Sequence, residues 1–493
     1  MVQYYTREVT IMPIEKLIEA PLVVVTNREP YIDERSDHGI RTVQKAGGVV
    51  SALDPLLQEI GGHWIAWGSG SADVEVSPGG KRQVPPENPR YTLHRIILNQ
   101  EEIQGYYAKY SNQGLWPLSH MLIERAQFSR RAWQIYRSVN QKFAKRTSSV
   151  SPEGAWIFSH DYQLALLPSF VRKSRPDVAI AHFWHIPWPP SAIFHLCPQH
   201  QEILRGLLGA DVLGFQSDVD VDNFINTAER TLKVSVNRDN LTINWQGRIV
   251  HVKSFPISVD FEAIQEIVQN PRISRWVRGI RRHIERHDQI LGISVDRADY
   301  TKGLLPRLEA IKEFYTLYPQ YRERVTYIQV VVPSRTEVAE YRRLYERIAK
   351  KTQEINKQFQ KPRWIPIITL RHSIDRPRLM GLFRAADFAV VSSLVDGMNL
   401  VSKEFVAAQV DKRGVLLLSE TTGAAHELEN EAFPINPLDP EGFANTLHEA
   451  LSTSADERAL RITRMREHLQ KHTIYDWMAD IFATLKAAAQ SYV

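Results

Sequence analysis

Apolar residues in this chain gather in short runs, each closed by a turn-forming or polar residue and followed by a longer segment with helical spacing. In the first half the runs are PLVVVTNREP, GAWIFSHDY, DVAIAHFWHIP, ADVLGFQ and HVKSFPISV. In the second half they are DQILGISVDR, VTYIQVVVPSR, IPIITLRH, ADFAVVSS and GVLLLSE. Strands buried on both faces need no polar alternation, so runs of this kind between helices predict parallel sheet covered on both sides. About ten of them are too many for one compact sheet. The expected fold class is α/β, with two doubly wound parallel-sheet (Rossmann-like) domains facing a cleft. A proline-bearing strand leads into a new helix at FPISVDFEAI, residues 255 to 264. That sets the domains at 1–256 and 257–493, and the last helix, about 474–488, can pack on either.

Ligands of open parallel sheets bind beyond the carboxyl ends of the strands. The residues just after the runs are therefore the candidates for chemistry: Asn27, Arg28, His160, Asp161, His185, Arg297, Arg335 and Asp396.

Composition narrows the class. A chain of 493 residues with 43% hydrophobic content is globular and multidomain. Its one cysteine, Cys197, allows no intrachain disulfide and no all-cysteine metal site, which suits a reducing compartment. The amino-terminal stretch has no signal-peptide pattern, and no apolar run approaches membrane-spanning length. A cytoplasmic protein with no membrane partner is expected. The net charge of +5 is dispersed except at RISRWVRGIRRHIERH, residues 272 to 287. There Trp276, Val277, Ile280 and Ile284 fall on one helical face, so the arginines read as a solvated face, and no nucleic-acid partner is expected. His160, His182 and His185 lack metalloprotease or zinc-deaminase spacing, so no metal is expected, and no cofactor is expected either.

Two stretches carry the strongest signals. SVDRADYTKGL, residues 294 to 304, sets Arg297, Lys302 and Gly303 between a strand and a helix. Oriented N–H groups, a helix amino terminus and two cations suit a diphosphate. An ion pair with Asp296 or Asp299 is the structural alternative. SSLVDGMNLVSKEFVAAQ, residues 392 to 409, puts Asp396 and Gly397 in a loop after a strand and Glu404 in the following helix. Glu404 could accept bonds from a ribose diol, or be an ordinary surface acid.

DRADYTKG and DGMNLVSKEFVAAQ resemble the trehalose-6-phosphate synthases, retaining glucosyltransferases of GT-B architecture. Further pieces are similar, in order, from VVVTNR to about Trp477: AGGVVSAL, GHWIAWGSG, YYAKYSNQGLWPLSH, HDYQLALLP, HIPWPP, LLGADVLGFQ, VPSRTEVAEY and SETTGAAHEL. The resemblance implies transfer of glucose from a nucleotide-glucose to glucose 6-phosphate. It implies that Arg297 and Lys302 meet the donor diphosphate, Glu404 the ribose, and Gly48 the donor phosphates. Asp396 with the backbone of Gly397, Met398, Asn399, Leu400 and Val401 would hold the donor glucose, with His185 beside it. Arg28, Tyr107, Trp116 and Arg335 would hold the acceptor phosphate, with Trp64 in the same region and Asp161 at the acceptor sugar. The catalytic set so implied is Asp161, His185, Arg297, Lys302 and Asp396. The leaving diphosphate would take the acceptor proton, while Arg297 and Lys302 stabilise its charge.

Departures from the family keep alternatives open. REPY, residues 28 to 31, resembles the glucosylglycerol-phosphate synthases, whose acceptor is glycerol 3-phosphate. Trp188 stands where the family commonly has Phe, and Ala298 where it has Leu. A catalytically silent sugar-phosphate sensor is the alternative of another class, though retention of Arg297, Lys302, Asp396 and Glu404 speaks against it. UDP, ADP and GDP donors are all compatible, as is a homo-oligomer.

Overall fold

The structure is a computed structural model that describes residues 18–44, 48–333 and 339–490. The chain divides into two units: one runs to Phe255 and resumes at Ile474, and the other spans Pro256–Thr473.

The described residues of the first unit form twelve strands. In chain order they are β1 (Leu22–Arg28), β2 (Tyr31–Ser36), β3 (Gly39–Gln44), β4 (His63–Trp67), β5 (Lys81–Val84) and β6 (Tyr91–Ile96). They continue with β7 (Trp156–His160), β8 (Ala179–Phe183), β9 (Val212–Phe215), β10 (Ser235–Asn237), β11 (Thr242–Trp245) and β12 (Arg248–Ser254). Ten of them build one sheet in the order β10-β11-β12-β9-β8-β7-β1-β4-β6-β5, while β2 and β3 form a separate hairpin. The interior pairs from β12 to β6 are parallel, and the edges β5 and β10–β11 are antiparallel. Strands β7, β8 and β9 are buried throughout, as their uninterrupted apolar runs require. The edges β5 and β10 are mostly exposed and polar, which kept them out of the hydrophobic pattern.

The second unit holds β13 (Ile290–Arg297), β14 (Val325–Val332), β15 (Ile367–Leu370), β16 (Phe388–Val391), β17 (Val415–Ser419) and β18 (Phe433–Ile435). They form an all-parallel sheet in the order β15-β14-β13-β16-β17-β18. Leu308, Ile311, Phe314 and Leu447 from helices pack on Tyr327, Val390 and Leu417 from the strands to make its core. The basic helix, Pro271–Arg286, buries Val277 and Ile284 with Ile280 partly covered. Trp276, expected on that face, lies at its margin and is 39% exposed.

The last helix, Ile474–Gln490, belongs to the first unit, so a domain running unbroken from 257 to 493 is corrected. Its buried stripe includes Ile474, Trp477, Ile481, Phe482 and Leu485. Trp477 packs 5.8 Å from Phe158 and 5.1 Å from Phe183, and Phe482 lies 5.4 Å from Phe158, measured between ring centroids. An amphipathic stripe announces that a helix needs an apolar partner without saying which one. Among the described residues no helix is long and apolar enough to cross a membrane.

Candidate active site

In the first unit the candidates stand at carboxyl ends of neighbouring strands. Arg28 closes β1 and is exposed. Its guanidinium lies 4.8 Å from the Trp67 ring centroid and 4.7 Å from that of Tyr107, and those two rings are 5.5 Å apart. Stacking on aromatic faces holds a guanidinium in place while leaving its N–H edge for an anion.

Tyr107 reaches this position from a widened helical stretch, Ile103–Leu115. There the Trp116 N–H bonds back five residues to the Ser111 carbonyl. Ser111 Oγ donates to the Tyr106 carbonyl at 2.8 Å, and Asn112 Nδ2 donates to the Tyr107 carbonyl at 2.8 Å. Such five-residue winding is rare and concentrates at functional sites. Tyr106 OH donates to Asn27 Oδ1 at 2.9 Å, fastening the stretch beside Arg28.

Trp64 is corrected to the core. It is 0% exposed, and its indole N–H is spent on Thr26 Oγ1 at 2.7 Å. Thr26 Oγ1 in turn donates to the Arg28 carbonyl at 2.6 Å, so Trp64 braces the strand end from behind. Trp67 is the tryptophan of β4 that meets Arg28. Trp116 is 6% exposed, with its ring 4.3 Å from that of His120 and 5.8 Å from that of Tyr162.

Asp161 follows β7 with φ 73 and ψ 167, a conformation costly for a residue with a side chain. Its N–H donates to the Phe183 carbonyl at 2.7 Å. Its Oδ1 accepts from the backbone N–H groups of Tyr162 at 3.0 Å and His185 at 3.3 Å. The His185 imidazole is engaged elsewhere: Nε2 lies 3.0 Å from His160 Nδ1. Burial pushes His185 down to about 3, and His160 well below its ordinary value. His185 is therefore neutral at physiological pH, suited to a hydrogen bond with a hydroxyl and unsuited to counter a charge. Asp161 meets its backbone, which is not the arrangement of an acid–base dyad.

The residues that set this chain apart from the family point inward. Glu29 of REPY is buried, accepting from Arg95 Nε at 2.6 Å and from the Ser69 N–H at 2.7 Å. Tyr31 OH donates to Asp54 Oδ2 at 3.0 Å. Arg95 also meets Asp33 at 2.8 Å and Asp73 at 3.1 Å. Trp188 is 1% exposed and donates to Thr227 Oγ1 at 3.3 Å, and Ala298 is 1% exposed in the core of the second unit.

In the second unit Arg297 is the exposed last residue of β13. Asp299 Oδ1 accepts from both the N–H and the hydroxyl of Thr301, each at 3.0 Å, and so shapes the turn Tyr300–Lys302. Gly303 follows at φ 61, and a Cβ there would stand 2.0 Å from the Ser392 carbonyl oxygen. Only glycine satisfies both demands. Asp296 pairs with the buried Arg307 at 2.6 Å, and Lys302 is left to reach Asp396.

Asp396 Oδ2 is a node. Besides Lys302 Nζ it accepts from Ser393 Oγ at 3.0 Å and Asn399 Nδ2 at 3.1 Å. The loop is pinned from a neighbouring segment: the Gly423 N–H donates to the Asp396 carbonyl at 3.1 Å, and the Ala424 N–H to the Met398 carbonyl at 2.9 Å. A Cβ at Gly423 would lie 1.9 Å from the Gly397 carbonyl oxygen. Asn399 turns the chain at φ 77 into the helix Leu400–Ala408, whose first turn holds Leu400 and Val401. Glu404 lies in the next turn, half-buried, and burial pushes its carboxyl up against the opposing pull of Arg376.

Gly48 opens the helix Gly48–Ile60. Residues 45–47, just before it, and Arg335 lie outside the described residues. No cluster of three or more metal-ligating side chains occurs among the described residues. Sequence reasoning missed Trp67 and the His160–His185 contact. The run HWIAW, recognised as a strand, would have put Trp67 at a strand end.

Among known proteins, residues 20–487 match the family model described as Glycosyltransferase family 20. The bifunctional trehalose-6-phosphate synthase/phosphatase of Thermoproteus tenax is 36% identical over 478 residues, which is 95% of this chain and 64% of that relative. The chain thus spans less than two thirds of that protein's length. The trehalose-6-phosphate synthase of Mycobacterium avium is 35% identical over 463 residues, covering 92% of this chain and 93% of the relative. A solved α,α-trehalose-phosphate synthase (UDP-forming) from Burkholderia xenovorans, in complex with glucose-6-phosphate, has a TM-score of 0.85 at 31% identity. It covers 94% of this chain and 100% of its own.

Proposed function

The chain belongs to glycosyltransferase family 20, and on that premise we propose that it moves glucose from UDP-glucose to glucose 6-phosphate, giving α,α-trehalose 6-phosphate and UDP. The observation that carries this reading is the turn in which Gly303 brings Lys302 against Asp396 beside the strand end that bears Arg297. Lys302 is already held by a carboxylate and directly precedes Gly303, the N-cap of the helix Leu304–Leu317, while Arg297 is exposed at its strand end.

In this reading Arg297 and Lys302 take the donor diphosphate and Glu404 the ribose. Asp396 with the loop from Gly397 to Val401 takes the donor glucose, His185 is assigned a hydrogen bond to that glucose, and Gly48 is assigned to the donor phosphates. Arg28, resting on Trp67 and Tyr107, takes the acceptor phosphate together with Arg335 and Trp116, and Asp161 takes an acceptor hydroxyl. The bond from glucose C1 to the diphosphate oxygen breaks, and a bond from C1 to the acceptor oxygen forms on the same face. The acceptor proton goes to the departing diphosphate oxygen. The chain's own cations stabilise that oxygen where charge develops, so no metal or cofactor is assigned a part. A single buried cysteine suits a cytoplasmic location.

Glycerol 3-phosphate is the less favoured acceptor, because the REPY side chains Glu29 and Tyr31 are buried in the fold. A matrix of UDP-, ADP- and GDP-glucose against the two acceptors tests the reading. UDP release with glucose 6-phosphate and a disaccharide phosphate product are expected. Release only with glycerol 3-phosphate would overturn the acceptor, and no release with any pair would overturn the reaction.

A further inference from the structure

One buried charge stands on the helix of Glu404, at the position directly before it. Lys403 is 0% exposed. Its Nζ donates to the Ile257 carbonyl at 2.8 Å and pairs with Glu427 Oε1 at 2.6 Å. Glu427 Oε2 lies 3.1 Å from His468 Nε2. Taking an ammonium out of water is costly, and well-packed apolar residues often replace a buried pair without loss of stability. Stability alone is therefore a poor reason for this charge.

The partners suggest a better one. Lys403 directly precedes Glu404, so whatever sets its direction sets the roll of the helix and the direction of the next side chain. Glu427 lies on the short helix Ala425–Leu428, which follows the N–H groups of Gly423 and Ala424 that hold the Asp396 and Met398 carbonyls. Ile257 lies at the start of the second unit. One ammonium thus joins the helix of Glu404, the segment that pins the Asp396 loop, and the entry of the chain. Apolar packing is non-directional and leaves the roll of a helix soft, whereas charge-assisted hydrogen bonds are directional.

We propose that Lys403 is a positioning residue for the nucleotide-sugar. Through Glu427 and the Ile257 carbonyl it sets the roll of the helix Leu400–Ala408, and with it the register of Glu404 against the Asp396–Asn399 loop. The inference rests on the donor reading given above.

The test compares wild type, Lys403→Met and the double variant Lys403→Met/Glu427→Leu. Each is measured for Tm and for KM towards UDP-glucose and glucose 6-phosphate. In the single variant Glu427 Oε1 loses its ammonium and the buried carboxylate keeps only the His468 contact, so both Tm and donor KM suffer. The double variant removes that under-compensated carboxylate and regains most of the lost Tm. Its donor KM should stay raised about tenfold, with acceptor KM within about twofold of wild type, as for a loss of ground-state binding. Recovery of donor KM together with Tm would overturn the proposal. If Lys403→Met does not fold, Glu427→Gln decides, because it keeps the shape and an acceptor oxygen. A donor KM raised about threefold at constant acceptor KM is expected there, and an unchanged donor KM overturns the proposal. Wild-type protein that fails to turn over UDP-glucose with glucose 6-phosphate would instead defeat the reaction on which the inference rests.

Discussion

Gly303→Ala perturbs the turn that carries Lys302, and its cost can be worked out from two separate sources. The first is conformational: at φ 61 an alanine pays about 1–2 kcal/mol that glycine does not. The second is steric. The new Cβ would start 2.0 Å from the Ser392 carbonyl oxygen, where real contacts essentially never fall below 3.0 Å. The turn must therefore retreat by about an ångström from the end of β16, and forced repacking of that size costs about 1–3 kcal/mol. Together these predict a loss of about 2–5 kcal/mol, a fall in Tm of about 5–15 °C for a unit of this size. On the proposed donor reading Lys302, the adjacent residue, meets the departing diphosphate, and an ångström of misplacement near reacting atoms costs on the order of 100-fold in rate. Gly247→Ala is the control, since Gly247 also has positive φ, 79, but nothing lies within 4 Å of an added Cβ. It should cost about 1–2 kcal/mol and leave turnover intact. Calorimetry and a continuous UDP-release assay on the two variants suffice. A Gly303→Ala protein with wild-type turnover and no more destabilisation than the control would refute the argument.

Three other outcomes follow from the same structure. On the proposed donor reading, Arg297→Ala should lower kcat by about 100-fold or more, and with its side chain exposed at the strand end Tm should change little; single-turnover kinetics check this. Arg28→Ala should raise KM for glucose 6-phosphate by about tenfold or more and leave donor binding alone, as steady-state kinetics with each substrate varied would show. Glu29 concerns pH. Burial first, then its hydrogen bond with Asp73, pushes its carboxyl from 4.5 up to about 8 against the pull of Arg95. The folded protein then keeps a proton that the unfolded chain releases, so the stability present below about pH 4.5 is lost as pH rises through about 8. The slope reaches about 1.4 kcal/mol per pH unit, and Glu29→Gln should flatten it in urea titrations run across that range.

All ten apolar runs are strands, and those buried throughout, such as β7, β8, β9 and β17, were legible because a strand covered on both faces needs uninterrupted apolar residues. Strand-end reasoning also led to Arg28, Asp161, His185, Arg297 and Asp396, each at or just past the end of its strand. The edge strands β5 and β10 escaped because most of their residues face water, while the interior strands β4 and β6 escaped although they are buried. Trp64 and Trp67 could not be told apart without recognising β4, since three positions along a strand reverse the face.

From its residues alone this chain determined its class, its strand-bearing segments, and the few loops where cations, carboxylates and glycines follow a strand. Those are local properties, written in periodicity and in the φ values that glycine permits. The tertiary structure decided what each charge meets: Glu29 finds Arg95 across 66 positions, and Lys403 finds Ile257 across 146. It likewise decided that the last helix closes on Phe158 and Phe183. Contacts at such separation depend on how sheets and helices pack, and no short-range pattern encodes them.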